Sequence, residues 1–376
     1  MKKKILIFSS TRADYGLMKK LIFLLNKEKS FLIKLLVTGT HFDKKFGNTY
    51  KEIIKDKVKI DYKINLSING DSAWHISNYF SKQAEKLNFI FKKKFKPDLI
   101  ILLGDRFETL SVACICKIYN IPICHLHGGE TTKGSNDEEI RHAISKLSSL
   151  HFVSHNDYKK KLVKMGENPN YIFNFGALGL NSINKFKFNK KEIENILNLS
   201  LDKKTFIVTF HPETLNKTTN VTMQKLLIVL KKFKKTNFIF TCPNMDVDHQ
   251  KIILKIKKFV KENKNSFYFK SLGKNLYFSL LRYADGVIGN SSSGIIEVPS
   301  FNIPTINIGD RQKGRLQSKT ISNSDKNLIN VYDLILKIIK KKPRFIGNNN
   351  IYFKKFTEEK IINIIKIADL NNINKY

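Results

Sequence analysis

The sequence predicts an α/β protein made of two Rossmann-like, doubly wound domains with a ligand cleft between them. Short β-rich runs alternate with helical patterns, which is typical of parallel sheets built from βαβ units. The alternation occurs twice along 376 residues, a length that suits two domains. Ligands of open α/β sheets bind beyond the carboxyl ends of the strands, so the segments that follow the strands are the first candidates for function.

Apolar runs in both halves predict the strands. In the first half they are KILIFSS, FLIKLLVTG, DLIILLG, IPICHLHGG, LHFVSH and YIFNFG. In the second half they are KTFIVTFHP, TNFIFTCPN, SFYFK, DGVIGN and IPTINIG. Helical patterns lie between them, among them YGLMKKLIFLLNK, TLSVACICKIYN, NDEEIRHAISKLSS, TMQKLLIVLKKF and DHQKIILKIKKFVKE.

A polar, lysine-rich segment separates the two halves and shows no strand pattern before residue 205. We therefore expect an N-terminal Rossmann-like domain, a linker, a C-terminal Rossmann-like domain that binds the ligand's nucleotide, and a helical tail. These cover residues 1–178, 179–204, 205–345 and 346–376 respectively. Amphipathic patterns around residues 326–341 and 351–369 predict a helix each.

The formal net charge of +35 raises the question of nucleic-acid binding. The lysines are spread along the chain rather than clustered, so we interpret the charge as a compositional bias and expect no nucleic-acid partner. No run approaches about 18 uncharged apolar residues, and the N-terminus lacks the apolar stretch of a signal peptide. We expect a cytoplasmic protein with no membrane contact.

The arginines indicate an anionic ligand. Where lysine is the default cation, an arginine suggests a need for its planar fork, as on phosphate or carboxylate. Five of the seven arginines lie in segments that contain glycine or acidic residues: Arg12, Arg106, Arg141, Arg311 and Arg315.

The stretch GNSSSGIIEV after a predicted strand suggests a diphosphate site. Serines at a helix start would bring hydroxyls and free N–H groups together at Ser291 and Ser292. Six residues of helix would place Glu297 about 9 Å from Ser291, where its carboxylate could accept both ribose hydroxyls. A capped helix with an exposed acid is the alternative. SSTRADYG, with Arg12 and an expected turn at Gly16, points to an anion in the same way.

Acids and histidines at several strand ends suggest proton transfer or a metal. Asp105 ends a buried strand, and period-two alternation would place His125 and His127 on one strand face. These three could ligate zinc, but the spacing is not a specific zinc motif, and we predict no metal. Further candidates are Glu130 after the glycines of CHLHGGE and His211 in FHPET. Asp137 and Glu138 lie at a predicted helix start, with Arg141 and His142 one turn later.

Seven motifs, in register from residue 4 to about 316, resemble the hydrolysing UDP-N-acetylglucosamine 2-epimerases of the bacterial sialic-acid pathway. They are SSTRADYG, LGDRFE, HLHGGE, DEEIRHAISKLSSLHFVS, FHPET, GNSSSGIIEVPS and NIGDRQKGR. The resemblance implies a glycosyltransferase-B-like fold, a UDP-sugar substrate, no cofactor and a homo-oligomer. It also implies a two-stage reaction, in which UDP is eliminated to leave a glycal and water then adds, giving N-acetylmannosamine.

The resemblance assigns roles position by position. It implies that His211 helps the leaving group, and that Asp105, Asp137 and Glu138 serve proton transfer with Arg141 orienting them. Many relatives have Glu at the position of His127, so the base at C2 stays open between His127 and Asp105. The implied UDP contacts are Arg12, Gly16, Arg106, Asn244, Ser291, Ser292, Glu297 and Arg311.

Three alternatives remain at the level of sequence. Relatives that act on UDP-N,N'-diacetylbacillosamine in legionaminic-acid synthesis share nearly all these motifs, although we favour N-acetylglucosamine. A glycosyltransferase of the same fold would need no such set of proton carriers. A nucleic-acid-binding protein would have no use for the GNSSSGIIE and FHPET motifs.

Overall fold

Both halves of the chain fold into a parallel β-sheet whose strands are connected by helices, which confirms the predicted fold class. The computed structural model of the protein describes residues 2–66, 70, 72–133, 137–185, 188–213, 219–243, 249–341 and 349–373. The strands are β1 Lys3–Ser9, β2 Phe31–Val37, β3 Tyr62–Lys63, β4 Leu99–Leu103, β5 Ile123–Leu126, β6 Leu150–Val153, β7 Ile172–Asn174, β8 Lys204–Thr209, β9 Thr236–Thr241, β10 Ser266–Phe269, β11 Gly286–Gly289, β12 Thr305–Ile308 and β13 Ile321–Ser324.

The helices lie between these strands and after them. They are α1 Arg12–Lys27, α2 Tyr50–Lys55, α3 Ala73–Lys93, α4 Phe107–Ile118, α5 Asp137–Leu147, α6 Asn156–Lys164, α7 Lys190–Leu197, α8 Thr219–Lys231, α9 His249–Glu262, α10 Gly273–Leu281, α11 Ser293–Ile296, α12 Val331–Lys341, α13 Thr357–Ile367 and α14 Leu370–Ile373. No helix in the described part of the chain has the length and apolar character needed to span a bilayer.

The chain forms two compact units. Unit 1 consists of Met1–Glu130, Asp137–Asn181 and Tyr352–Tyr376, and unit 2 consists of Thr131–Asn136 and Ser182–Ile351. Each unit contains one of the two sheets. The boundaries at 178, 204 and 345 stay predictions.

The sheet of unit 1 has the strand order β3-β2-β1-β4-β5-β6-β7, and its pairs are parallel. In β1, Ile5 and Ile7 belong to one apolar cluster and Leu6 and Phe8 to another, so the strand is buried on both faces, as parallel sheets are. The strand order reverses between β1 and β4. Such a switch point opens a crevice at the carboxyl ends of the two strands, and residues 10–12 and 104–106 follow them there.

The sheet of unit 2 has the order β10-β9-β8-β11-β12-β13, also with parallel pairs. Its core combines Phe206 and Val208 of β8 with Phe238 and Phe240 of β9 and apolar residues of the covering helices. Here the order reverses between β8 and β11. The motifs FHPET and GNSSSG therefore follow two adjacent strands at the switch point of this sheet.

Helix α13 belongs to unit 1, although it comes after the whole of unit 2 in the chain. It packs against α1, and Ile361, Ile362 and Ile365 enter the core cluster that β1 and α1 also form. The sequence division treated residues 346–376 as a separate tail. Amphipathic periodicity shows which face of a helix is buried, and it does not show which element covers that face.

Candidate active site

In unit 1 the first candidate segment follows β1 and begins α1. The hydroxyl of Thr11 accepts the backbone N–H of Asp14 at 3.2 Å, and Asp14 accepts the backbone N–H groups of Ser10 and Thr11 at 3.1 and 2.9 Å. This capping box makes Arg12 the first helical residue. The turn expected at Gly16 is wrong, because the cap at Thr11 starts the helix at Arg12 and Gly16 lies inside α1. Its contact with UDP stays a prediction.

A buried histidine that the sequence analysis missed, His41, contacts the end of β1. Its Nε2 lies 2.9 Å from the Ser9 hydroxyl and its Nδ1 lies 3.0 Å from the Thr49 hydroxyl. Burial lowers the pKa of His41 to about 4, so the ring is neutral near pH 7. Burial also raises the pKa of Glu52, which the positive charge of Arg12 lowers in part. The available signal was a histidine two residues beyond the predicted strand FLIKLLVTG.

Arg106 follows β4 and is held by Glu108. Its Nε and Nη2 donate to the two carboxylate oxygens of Glu108 at 3.1 and 3.3 Å, and its guanidinium lies 5.7 Å from the ring centroid of Phe107. Glu108 is fully buried, and burial raises the pKa of its carboxyl while Arg106 opposes the shift. The two-pronged contact fixes the direction of the Arg106 side chain.

Asp105 and Arg141 are brought together at the carboxyl end of β4. Nη2 of Arg141 donates to Oδ2 of Asp105, and Nη1 donates to the backbone carbonyl of Glu130 at 2.7 Å. The Arg141 side chain is 1% exposed, whereas that of Asp105 is 26% exposed. The planar guanidinium of Arg141, which is also bonded to the Glu130 carbonyl, holds the Asp105 carboxylate in one orientation. The carboxylate stays within reach of solvent.

The two histidines of CHLHGGE do not share a strand face, so that prediction is wrong. Strand β5 ends at Leu126, and His127 has a left-handed backbone with φ 64°, which ends the alternation. His125 is a fully buried residue with both ring nitrogens bonded. Its Nε2 donates to the carbonyl of Gly104 at 2.8 Å, so its Nδ1 accepts the Ser145 hydroxyl at 3.0 Å. Burial lowers the pKa of His125 to about 3.

His127 has the opposite arrangement of ring protons. Its Nε2 accepts the backbone N–H of Leu178 at 3.1 Å, so the neutral ring carries its proton on Nδ1. That nitrogen lies 3.4 Å from Oε1 of Glu130, which also accepts the Ser154 hydroxyl at 2.7 Å. The basic nitrogen of His127 is therefore occupied by a backbone N–H.

Asp137 and Glu138 begin α5, which confirms the predicted helix start. Glu138 accepts from Nζ of Lys161 at 2.7 Å and lies 3.4 Å from Nε2 of His142. Burial lowers the pKa of His142, and Lys161 adds to the shift. Lys161 of α6 thus balances the negative charge of the Glu138 carboxylate. No local sequence pattern indicates this contact.

In unit 2 the segment after β11 begins a helix at the serines, as predicted, but the helix is shorter than the six residues expected. Helix α11 has a single turn, and its N-cap residue, Ser292, makes no capping hydrogen bond with its side chain. Glu297 ends this turn rather than extending along a helix, because Pro299 has no N–H with which to continue it. The predicted helix start at the serines is therefore confirmed, whereas the capping hydrogen bond from a serine side chain is absent and the helix ends at Ile296. The Val-Pro pair in the sequence was the available signal for this early end.

The serines after β11 are nevertheless close to one another and to a partly buried tyrosine. The N–H of Ser293 donates to the hydroxyl of Ser291 at 3.4 Å, and the Ser293 hydroxyl lies 2.8 Å from that of Tyr277. Burial raises the pKa of Tyr277, and the charge of Glu297 adds to the shift. Ser291, Ser292 and Glu297 thus lie in one polar region, each partly exposed.

Arg311 follows β12 in a loop tied to FHPET. The carboxylate of Glu213 accepts the backbone N–H of Asp310 at 3.1 Å. Gly309 has φ 73°, and a Cβ there would lie 2.3 Å from that carboxylate, so the close approach requires glycine. Arg311 is 7% exposed, and His211, two residues beyond β8, is 5% exposed.

The remaining predictions concern Asn244 and a metal site. Asn244 lies outside the described residues. Among the residues that are described, no three His, Cys, Asp or Glu side chains are grouped so as to hold a metal ion.

Comparison with known proteins places these motifs in a family. The family model for UDP-N-acetylglucosamine 2-epimerase matches residues 24–366. "GDP/UDP-N,N'-diacetylbacillosamine 2-epimerase (hydrolyzing)" of Campylobacter jejuni subsp. jejuni serotype O:2 is 42% identical, over 87% of this chain and 85% of its own length. "Polysialic acid biosynthesis protein P7" of Escherichia coli is 39% identical, over 97% of this chain and 93% of its own.

A solved structure shares the fold. The Neisseria meningitidis UDP-GlcNAc 2-epimerase bound to UDP-GlcNAc superposes with a TM-score of 0.84. The match covers 97% of this chain and all of that one, at 18% sequence identity. At 18% sequence identity this similarity shows that the fold is shared, and it does not show which ligand this chain binds.

Proposed function

The chain belongs to the UDP-N-acetylglucosamine 2-epimerase family, and we propose that it is a hydrolysing 2-epimerase of a UDP-linked 2-acetamido sugar. In the first stage a base removes the C2 proton while the C1–O bond to UDP breaks, which leaves a glycal. In the second stage the oxygen of water bonds to C1 and a proton returns to C2 on the opposite face. The products are UDP and the 2-epimeric free sugar, N-acetylmannosamine if the substrate is UDP-N-acetylglucosamine.

The Asp105–Arg141 pair is the observation that supports this proposal most directly. A base for C2 must have an accessible lone pair and a fixed direction, and a partly exposed carboxylate held by a buried arginine meets both needs. We therefore assign proton removal to Asp105 rather than to His127, whose basic nitrogen accepts the Leu178 N–H. Asp137 and Glu138 are the further candidates for returning a proton.

In unit 2 we assign the nucleotide to the segments after β11 and β12. Ser291, Ser292 and Arg311 supply hydroxyls and a guanidinium for the diphosphate, whose negative charge grows as the C1–O bond breaks. Glu297 would accept ribose hydroxyls, and His211 would assist the departing phosphate. In unit 1, Arg12 and Arg106 are further candidate contacts for UDP.

The sugar has two candidates. UDP-N-acetylglucosamine is the one that the motifs favour, and the relative with 39% identity is named for polysialic acid biosynthesis. UDP-N,N'-diacetylbacillosamine is favoured by the relative with 42% identity, whose name also includes GDP as the nucleotide. Both sugars carry the 2-acetamido group beside the C2 proton, so the chemistry is the same for each.

The test is incubation of the purified protein with each UDP-sugar in D2O, without added metal or NAD, followed by proton NMR. We expect UDP and a free 2-epimeric sugar with deuterium at C2 from one of the two substrates, and a GDP-linked sugar serves as the nucleotide control. Turnover of only the diacetylbacillosamine compound would reject N-acetylglucosamine as the substrate. No C1–O cleavage with any of them would reject the proposed reaction. Light scattering of the same sample tests the homo-oligomer that the family resemblance implies.

A further inference from the structure

A buried asparagine, Asn290, connects the motifs that follow β8 and β11. Its side chain is fully buried and pairs with the main chain of His211 in both directions. The N–H of His211 donates to Oδ1 of Asn290 at 2.7 Å, and Nδ2 of Asn290 donates to the carbonyl of His211 at 2.9 Å. The carboxamide thus bonds both main-chain polar groups of His211, which lies two residues beyond the end of β8.

Gly289 brings Asn290 within this reach. A Cβ on Gly289 would lie 1.9 Å from the carbonyl oxygen of Thr209, so β11 can approach β8 this closely only with glycine. The N–H of Asn290 then donates to the same carbonyl at 3.1 Å. Gly289 therefore permits the close approach of the two strands, and Asn290 makes the hydrogen bonds that this approach allows.

Gln312 extends this connection to the loop of Arg311. Its Nε2 donates to the carbonyl of Asn290 at 3.0 Å, and its side chain is almost completely buried. The loop after β12 thereby holds the backbone of Asn290, while the side chain of Asn290 holds the backbone of His211. Leaving any of these buried partners unsatisfied would carry the desolvation penalty of an unpaired polar group, so the three segments keep one relative arrangement.

We propose that Asn290 is a positioning residue that acts through His211, directing its imidazole at the sugar phosphate that unit 2 binds. The inference rests on the proposed function, because it gives His211 a task at the departing diphosphate. An indirect role suits Asn290, because its side chain is fully buried and both of its polar atoms bond the main chain of His211. Catalytic groups displaced by about 1 Å lose about 100-fold in rate, so an anchor of this kind affects turnover strongly.

Two substitutions separate the parts of the anchor. Asn290→Ala removes both hydrogen bonds. Asn290→Asp keeps the shape and an acceptor for the His211 N–H, but it opposes a carboxylate oxygen to the His211 carbonyl. Asn237→Ala is the matched control, because Asn237 is an equally buried asparagine of the same sheet that bonds Ser200 and Thr205 at the other end of the strands.

The decisive measurement is a double-mutant cycle on kcat with His211→Ala. We expect Asn290→Ala to lower kcat about 100-fold in the wild-type background and by no more than about threefold in the His211→Ala background. Equal losses in both backgrounds would overturn the proposal, because they would mean that Asn290 acts on the fold and not through His211. Asn290→Asp replaces Asn290→Ala in the same cycle if the alanine variant does not fold.

A second readout does not depend on turnover. In protein labelled with 13C-histidine, the signal lost in His211→Ala identifies His211. We expect this signal to shift in Asn290→Asp and to stay in place in Asn237→Ala. An unmoved signal would overturn the proposal. If the wild-type protein turns over no nucleotide sugar, the proposed function fails by itself, and the shift still reports whether Asn290 positions His211.

Discussion

At the scale of single residues, backbone groups decide what the histidines of unit 1 can do. The carbonyl of Gly104 makes His125 a donor at Nε2, whereas the N–H of Leu178 makes His127 an acceptor at Nε2. The sequence predicted polar chemistry around HLHGGE, but it could not distinguish these rings. These partners, Gly104 directly after β4 and Leu178 after β7, lie 21 and 51 residues away in the chain.

The choice of the C2 base can be tested by comparing Asp105→Asn with His127→Asn. We expect Asp105→Asn to slow deuterium incorporation at C2 by about 1,000-fold, within the usual range for loss of a general base. Asparagine tolerates the left-handed backbone of residue 127, so His127→Asn should change the exchange rate less than tenfold, or about 1.4 kcal/mol. The reverse order of effects, measured by NMR in D2O, would transfer the role to His127.

Burial of His125 predicts how stability depends on pH. Its pKa in the folded state, about 3, is below the unfolded value of about 6.5, so only the unfolded chain takes up this proton as the pH falls through that window. The contribution of His125 to the free energy of unfolding should therefore decrease by about 2 kcal/mol when the pH is lowered from 7 to 5.

The matched variant for this prediction is His125→Gln, which retains a donor for the Gly104 carbonyl. Urea unfolding at both pH values should show a smaller decrease for the variant than for the wild type. His41, whose pKa burial also lowers, is present in both proteins and cancels from the difference. Parallel decreases would contradict the assignment.

At the scale of elements, strands with an apolar run were predictable, including the edge strands β7 and β10, and strands that are very short or mostly polar were not. Every apolar run forms a central or flanking strand, because parallel strands are buried on both faces. Strands β3 and β13 were missed: one has two residues and the other, ISNS, has mostly polar side chains at a sheet edge. The serines indicated the start of α11 correctly, but its end was predicted too late, because Pro299 limits the helix to a single turn.

The close contact of β8 and β11 predicts a large cost for a single methyl group. In Gly289→Ala the new Cβ would meet the backbone of Thr209, which cannot move without separating the two strands, and we expect a loss of about 3 kcal/mol. Gly47→Ala is the control, because Gly47 also has a positive φ but faces open space and should cost about 1 kcal/mol. Denaturant unfolding compares them, and equal losses would show that backbone strain rather than the clash dominates.

At the scale of the whole molecule, unit 1 is assembled from both ends of the described chain. Helix α13 supplies core residues to it, and its Glu358 accepts the N–H of Gly179 at 3.2 Å and Nζ of Lys20 at 3.0 Å from within that unit. The sequence identified α13 as amphipathic. It could not assign α13 to a unit and set residues 346–376 apart as a tail, because periodicity does not show which element covers the apolar face.

The docking of α13 predicts a sharp contrast between two neighbouring isoleucines. Ile365 is fully buried against unit 1, whereas Ile367 is 79% exposed. Ile365→Ala should lower the free energy of unfolding by about 2–5 kcal/mol, and Ile367→Ala should change it by less than about 0.5 kcal/mol. Thermal unfolding monitored by circular dichroism checks the order, and similar losses would mean that α13 does not dock as described.

The return of α13 to unit 1 also has a consequence for biosynthesis. A ribosome delivers residues 1–181 early, but this part cannot close its core until α13 has emerged behind the whole of unit 2. Throughout that interval the groove for Ile361 and Ile365 stays open, and exposed apolar surface on a nascent chain favours aggregation. The core of unit 1 is therefore completed only after unit 2 has been translated.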